Sequence, residues 1–91
     1  MFTYTPNQAF VSGYLCARNF VIEETGGGCI AYFRYRKDGS FDCLTDESLG
    51  FLDFDSDITF GFYESEEAWD NCQVLVLFKG TFRELQTHMG N

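Results

Sequence analysis

The stretch CIAYFRYRKDGSFDCLT, residues 29–45, constrains the fold more than any other part of the chain because it predicts a β-hairpin. Successive side chains of a strand alternate between its two sides, which places Ile30, Tyr32 and Arg34 on one side of the first arm. The KDGS segment contains an Asp-Gly pair that favours a tight turn between two strands. SFDCLT then supplies the returning arm. The chain is therefore expected to fold around an antiparallel sheet.

Three further segments are predicted to be strands because they are rich in β-branched and aromatic residues. NFVIEE covers 19–24 and is followed by a glycine turn at 26–28, ITFGFY covers 58–63, and QVLVLFK covers 73–79. The last segment is apolar almost throughout, so we expect it to be a central strand. The sheet is predicted around 29–36, 40–45, 58–63 and 73–79, with core residues Phe33, Phe60, Phe62, Val74, Val76 and Phe78.

Helix signals occur at three places. Pro6 suits the first position of a helix and apolar residues follow it at helical spacing, although a strand remains an alternative there. Ser65 is a suitable N-cap for a two-turn helix, since acidic residues follow it. Thr81 and Glu84 form a capping-box pattern for a terminal helix that ends near Gly90. The residues of this last helix expected to face the core are Phe82, Leu85 and Met89.

The aromatic content excludes a disordered chain. Hydrophobic residues make up 45% of the sequence and aromatic residues 19%, including 11 Phe, and disordered chains are poor in both classes. A chain of 91 residues forms one domain, which we assign to residues 1–91. The predicted fold is α+β: a mostly antiparallel β-sheet with one to three short helices, packed in two layers.

The net charge of −8 and the pI of about 4.3 narrow the possible partners. Affinity for phosphate groups depends on Lys and Arg, so we expect neither direct nucleic-acid binding nor attraction to anionic membranes. A basic protein, a ribonucleoprotein with basic surfaces or a metal ion suits the charge. No segment approaches the roughly 20 apolar residues that span a bilayer, and the N-terminus lacks a secretory signal. We therefore expect a cytoplasmic protein.

Neither the cysteines nor the other reactive residues predict catalysis. The four cysteines form no C-x-x-C pair, and the only histidine, His88, lies far along the chain, so no zinc site is expected. His88 is also the only histidine base available to the serines, and GGGCI lacks the Lys-Ser/Thr of a phosphate loop. We expect no enzyme activity and no cofactor. We interpret all four cysteines as reduced, small, buried apolar residues: Cys16, Cys29, Cys43 and Cys72.

Residues 38–70 contain eleven carboxylates and no Lys or Arg, a segregation that solubility alone does not require. One interpretation is a calcium loop, because four carboxylates fall at positions 1, 3, 5 and 12 of an EF-hand register. Ile58 occupies position 6, where the sharp turn needs glycine, so we assign no metal ligand. The four residues in that register are Asp53, Asp55, Asp57 and Glu64.

A second interpretation concerns TFGFYESEEAW at 59–69, which is similar to the Phe-Gly-Phe strand and following Ser-Glu-Glu-Ala helix of the RNA-recognition motif. That resemblance implies that Phe60 and Phe62 stack on bases. However, Ile58 or Thr59 stands where that family has a basic residue, and the segment before the helix is short. We favour the alternative that both phenylalanines are core residues of a strand.

A third interpretation makes the carboxylates a recognition surface. In an extended chain, Asp53, Asp55 and Asp57 would form a ladder with a spacing of about 6.6 Å on one side. Such a ladder resembles the phosphates of a nucleic-acid strand, and the helix after Ser65 would extend it. Aromatic residues near it would add contacts to a partner. The predicted partner-binding residues are Asp53, Asp55, Asp57, Glu64, Glu66, Glu67, Asp70, Tyr63 and Trp69.

In size, charge and aromatic content the chain resembles the small acidic phage-encoded inhibitors of bacterial defence, which include anti-CRISPR proteins and DNA-mimic anti-restriction proteins. The resemblance implies a CRISPR complex or nuclease as the target, met in the host cytoplasm, and a block on nucleic-acid loading. Two alternatives stay open: an immunity protein or antitoxin that neutralises a basic toxin nuclease, and a calcium-binding or housekeeping domain.

Overall fold

The structure, a computed structural model, describes residues 5–48 and 50–89. Its sheet has five strands in the order of the sequence, and each neighbouring pair is antiparallel. This arrangement confirms the predicted α+β fold. The elements are α1 (Pro6–Cys16), β1 (Val21–Gly26), β2 (Cys29–Tyr35), β3 (Phe41–Asp46), β4 (Asp57–Tyr63), α2 (Glu66–Asp70), β5 (Leu75–Thr81) and α3 (Phe82–His88).

The hairpin predicted from the sequence is formed by β2 and β3, with Tyr35 opposite Phe41. Gly39 has a φ of 93°, a conformation that glycine adopts without a steric penalty. The Asp38 carboxylate accepts hydrogen bonds from the backbone N–H and the hydroxyl of Ser40, at 2.9 and 2.6 Å. These bonds lower the pKa of Asp38 and fix the turn locally.

Helices α1 and α3 cover one face of the sheet. Thr5 and Thr81 cap them, and each begins with a capping box, as predicted for Thr81. Helix α3 ends at His88, and the predicted end near Gly90 lies outside the described residues. The core on this face consists of Val11, Leu15, Phe20, Ile30, Tyr32, Leu44, Leu52, Ile58, Phe60, Phe82 and Leu85.

The other face of the sheet carries a smaller core, made of Ala31, Phe33, Phe41 and Cys43. Helix α2 lies on this face, capped by Ser65, whose hydroxyl accepts from the Ala68 N–H at 3.1 Å. Its Trp69 packs on the cluster. Because α2 has only five residues, it leaves part of this face open.

The prediction of a central strand at 73–79 is wrong. Strand β5 pairs with β4 alone and forms an edge of the sheet. Val74 and Val76 are 41% and 47% exposed, so they do not belong to the core as predicted. An apolar run indicates a strand, but the arrangement of the helices decides whether both of its faces are covered. Of the other predicted core residues, Phe33 and Phe60 are buried, and Phe62 and Phe78 are half-buried.

The expectation of four buried thiols is also wrong in part. All four cysteines are free, but Cys16 and Cys72 are exposed and Cys29 is half-buried. Only Cys43 is buried, and burial raises the pKa of its thiol from 9.0 to about 12. Among the helices of the described residues, none has the length and apolar character needed to cross a membrane.

Candidate functional site

The predicted carboxylate ladder does not form, because residues 53–56 make a turn instead of extended chain. The Asp53 carboxylate accepts from the N–H of Phe54 at 2.6 Å, and the Asp53 N–H donates to the Ser56 hydroxyl at 2.8 Å. Phe54 packs against the core beside Phe82, with ring centroids 6.3 Å apart. These hydrogen bonds and the packing of Phe54 hold the turn, and the Asp53 carboxylate is used within the fold.

The other two aspartates of the predicted ladder, Asp55 and Asp57, are exposed but have different neighbours. Asp55 pairs with Arg83 of α3 at 3.0 Å, and both side chains are well exposed. Asp57 opens β4 opposite Thr81 and borders a groove of about 390 Å³ that Lys79 also lines. Asp55 is thus paired with an arginine, whereas Asp57 shares a groove with Lys79, which lies two pairing positions further along β4 and β5.

A different group of carboxylates surrounds α2 and has no such neighbour. We call it the α2 acidic surface. All its members are exposed, and none forms an ion pair with any residue of 5–48 or 50–89. Buried Ala68 anchors the helix, which turns the charged positions outward. The members of the surface are Glu64, Glu66, Glu67 and Asp70.

The two aromatic residues predicted for partner binding, Tyr63 and Trp69, are half-buried and contact each other with ring centroids 5.0 Å apart. Trp69 also meets Phe33 edge to face at 5.4 Å, and Tyr63 stacks on Phe41 at 5.3 Å. Both residues therefore take part in the small core on this face. Each still presents part of its ring to solvent.

A groove of about 430 Å³ opens beside this cluster, and we call it the aromatic groove. Glu23 and Glu24 of β1 border it, together with Glu66 of α2. The two β1 glutamates are not among the partner-binding residues predicted from the sequence. The signal for them is the glycine turn at 26–28, because it pairs β1 with β2 and sets Glu23 opposite Ala31. The aromatic residues that line the groove are Phe33, Tyr35, Phe41 and Trp69.

Tyr35 and Glu23 both line the groove, and the Tyr35 phenol donates a hydrogen bond to the Glu23 carboxylate. Burial, followed by this bond and the charge of Glu23, raises the pKa of Tyr35 to about 12. The phenol therefore stays protonated at neutral pH and remains a donor. The bond holds one carboxylate at the edge of an exposed ring.

Asp42 shows that one carboxylate of the acidic segment is structural. It is fully buried, and Arg34 and Arg36 each reach its Oδ2 at 2.8 Å. Asp46 is likewise used within the fold, since it accepts from the Ser48 hydroxyl and the Gly50 N–H. The one-signed segment of the sequence thus divides into structural and surface carboxylates.

Two interpretations of the sequence find no support in the geometry. Phe60 is 7% exposed, and the Arg36 guanidinium covers the Phe62 ring at 5.3 Å, so neither ring is presented as a platform for bases. A Cβ on Gly61 would come within 2.6 Å of Val74 Cγ2. Close packing therefore accounts for a glycine between the two phenylalanines without an RNA-binding role. In the part of the chain that the structure describes, no three His, Cys, Asp or Glu residues are grouped as metal ligands.

Comparison with protein-family models, curated proteins and solved structures finds no match to the chain.

Proposed function

We propose that this chain is a small inhibitor protein of the anti-CRISPR or anti-restriction type, which binds a basic, nucleic-acid-handling defence complex. Binding occupies the surface where that complex holds nucleic acid and so prevents loading. The proposed place of action is the cytoplasm of a bacterium, the host cell if the protein is phage-encoded.

The α2 acidic surface is the observation that carries this proposal. Its four exposed carboxylates occur within residues 64–70, and the described chain supplies them with no basic partner. Charges placed this way steer association with a surface of opposite sign and contribute mainly to the association rate. A groove that evolved to hold phosphates offers such a surface.

The aromatic groove supports the proposal from a second side. Complementary charge contributes mainly to the association rate and to specificity, whereas aromatic side chains near a binding surface supply short-range contacts that contribute to affinity. Trp69 lies between the α2 acidic surface and this groove, since its own helix carries the carboxylates. The two features together suit a partner with basic side chains spaced along its surface.

The test measures whether the purified chain blocks nucleic-acid binding by purified CRISPR surveillance complexes, restriction nucleases and toxin nucleases. For a target that is blocked, association rates are then compared between the wild type and the variant E64Q/E67Q/D70N at increasing salt. We expect the variant to associate about tenfold more slowly at low salt, with a shallower salt dependence.

The matched control is the variant E47Q/D55N/D57N, which also changes the net charge from −8 to −5 but lies away from α2. It should associate close to the wild-type rate. Equal slowing by both variants would mean that only the total charge matters. If the chain blocks only a toxin nuclease, the assignment as a defence inhibitor is replaced by that of an immunity protein or antitoxin. If it blocks no target, the proposal is refuted.

A further inference from the structure

Every arginine of this chain covers an aromatic ring. A guanidinium over a ring face gains a cation–π attraction of about 0.5–2 kcal/mol, depending on exposure. The arrangement recurs on different elements, so it is a general way in which this aromatic-rich fold places its cations. The pairs, with distances from Cζ to the ring centroid, are Arg18–Tyr14 at 3.6 Å, Arg34–Phe20 at 4.6 Å, Arg36–Phe62 at 5.3 Å and Arg83–Phe54 at 4.9 Å.

The aromatic groove is the exception to this pattern. Across residues 5–48 and 50–89, no lysine or arginine lies over its rings, although three glutamates border it. Tyr35 is 56% exposed, and Trp69 is half-buried. Phe33 and Phe41 are buried beneath these two rings, at 5% and 6% exposure. The groove thus combines two accessible aromatic side chains with three carboxylates and, among the described residues, no cation over its rings.

The two rings that offer surface to the groove are Tyr35 and Trp69. Phe33 is only 5% exposed and supports both of them from below: it stacks against Tyr35 at 5.8 Å and 19°, and it meets Trp69 edge to face at 5.4 Å and 66°. Glu23 is held beside Tyr35 by the phenol and keeps further lone pairs to accept hydrogen bonds.

We propose that the aromatic groove binds an arginine side chain of a basic partner protein. The guanidinium would stack on Tyr35 and Trp69 while its N–H groups donate to Glu23 and Glu66. Arginine fits better than lysine because its flat, delocalised cation combines stacking with forked hydrogen bonding to carboxylates. The volume of about 430 Å³ lies within the range of small-ligand sites, and it accommodates one side chain with adjoining backbone. This inference rests on the proposed function only in that the partner is basic.

The single tryptophan of the chain provides a direct measurement, because Trp69 lines the groove. The probes are three capped tripeptides, Gly-Arg-Gly, Gly-Lys-Gly and Gly-citrulline-Gly, titrated against the whole chain at constant ionic strength. Citrulline keeps the shape of arginine and removes its charge. We expect a saturable change in Trp69 emission with the arginine peptide, weaker binding of the lysine peptide, and at least tenfold weaker binding of the citrulline peptide.

Two double variants test where the peptide binds. E23Q/E66Q removes two charges at the groove, and D55N/D57N removes two charges at a distance from it. The first variant should bind the arginine peptide about tenfold more weakly, and the second should bind it with unchanged affinity. Circular dichroism is used to check that both variants are folded. Equal affinity for arginine and citrulline, or equal weakening by both variants, would overturn the proposal.

The results also separate this site from the proposed inhibitor function. If the arginine peptide binds in the groove but no defence or toxin protein is blocked, the site stands and the inhibitor function falls. If a target is bound and E64Q/E67Q/D70N weakens it while E23Q/E66Q changes neither target nor peptide binding, the function stands and the arginine site falls.

Discussion

Arg36 holds the carboxylate of Asp42 at both oxygens through a single nitrogen, with Nη2 lying 3.0 Å from Oδ1 and 2.8 Å from Oδ2. Arg34 adds a second guanidinium, since its Nε donates to Oδ2 at 2.9 Å. Asp42 has no exposed surface, whereas the arginines are 30% and 41% exposed. The pair of cations thus compensates a buried charge beside the turn of the β2–β3 hairpin.

Replacement of Asp42 by Asn should lower the free energy of unfolding by about 2–3 kcal/mol. Loss of one member of a buried ion pair costs about 3–5 kcal/mol when the remaining charge is buried away from solvent. The cost is smaller here because both arginines are partly exposed and can be solvated. Urea unfolding followed by Trp69 fluorescence measures the change. The matched control is D55N, at the exposed pair with Arg83, which should change stability by about 0.5 kcal/mol or less. Similar losses in both variants would contradict the structural role of Asp42.

The hydroxyl of Tyr32 links three parts of the core. It lies 2.9 Å from the Ser12 hydroxyl of α1 and accepts from the Leu52 N–H at 3.3 Å. Y32F should lower the free energy of unfolding by about 1–2 kcal/mol, because both partners stay buried. S12A should cost less, and the double variant should cost less than the two single losses combined. Strict additivity in urea unfolding would mean that the two hydroxyls do not interact.

Gly61 has no room for a side chain because Val74, the residue before β5, packs against it. A Cβ there would lie 2.6 Å from Val74 Cγ2. G61A should therefore destabilise the fold by about 1–3 kcal/mol, as overpacking does elsewhere. Removal of the clashing methyl in G61A/V74A should restore part of this loss, measured by thermal unfolding. V74A alone is the control, and a double variant less stable than G61A would show that the clash is not the cause.

Stability should fall at alkaline pH, in part because of Cys43. Burial raises the pKa of its thiol from 9.0 to about 12 in the folded protein, so the unfolded chain loses this proton first. Between pH 9 and 12 the folded state binds more protons, and the free energy of unfolding must fall as pH rises. Tyr35, with its pKa raised to about 12, acts in the same direction above pH 10.

The replacement C43A isolates the thiol contribution. Its unfolding free energy should fall less steeply than that of the wild type between pH 9 and 12, measured in urea with reductant present. An unchanged slope would mean that the Cys43 thiol ionises alike in the folded and unfolded chain.

The parts of the fold that could be predicted from the sequence are those that depend on neighbours in the chain. The Asp-Gly turn and the capping box of Thr81 with Glu84 are local hydrogen-bonding patterns, and both are confirmed. The position of β5 depends on which strand follows it in the sheet and which helices cover it. No local pattern carries that information, so the apolar run predicts a central strand where the fold has an edge strand.

The candidate site was predicted only in part, for the same reason. Asp42 and Asp57 are equivalent in the sequence as members of one acidic segment. In the fold one is buried between two arginines and the other is exposed at the start of β4. The helical placement of Glu66, Glu67 and Asp70 could be predicted because they follow the N-cap Ser65, whereas Glu23 joins the groove only through pairing across the sheet.

The edge position of β5 makes the protein prone to aggregate when its net charge is low. Its outer backbone groups can pair with another strand, and the run from Val74 to Leu77 is 41–61% exposed. At neutral pH the charge of −8 keeps copies apart, and this repulsion disappears as the pH approaches 4.3. Light scattering should therefore rise near that pH in the wild type, and less in a variant with Lys in place of Leu75 or Leu77. The carboxylates that we propose attract a basic partner would therefore also oppose association between copies of the chain.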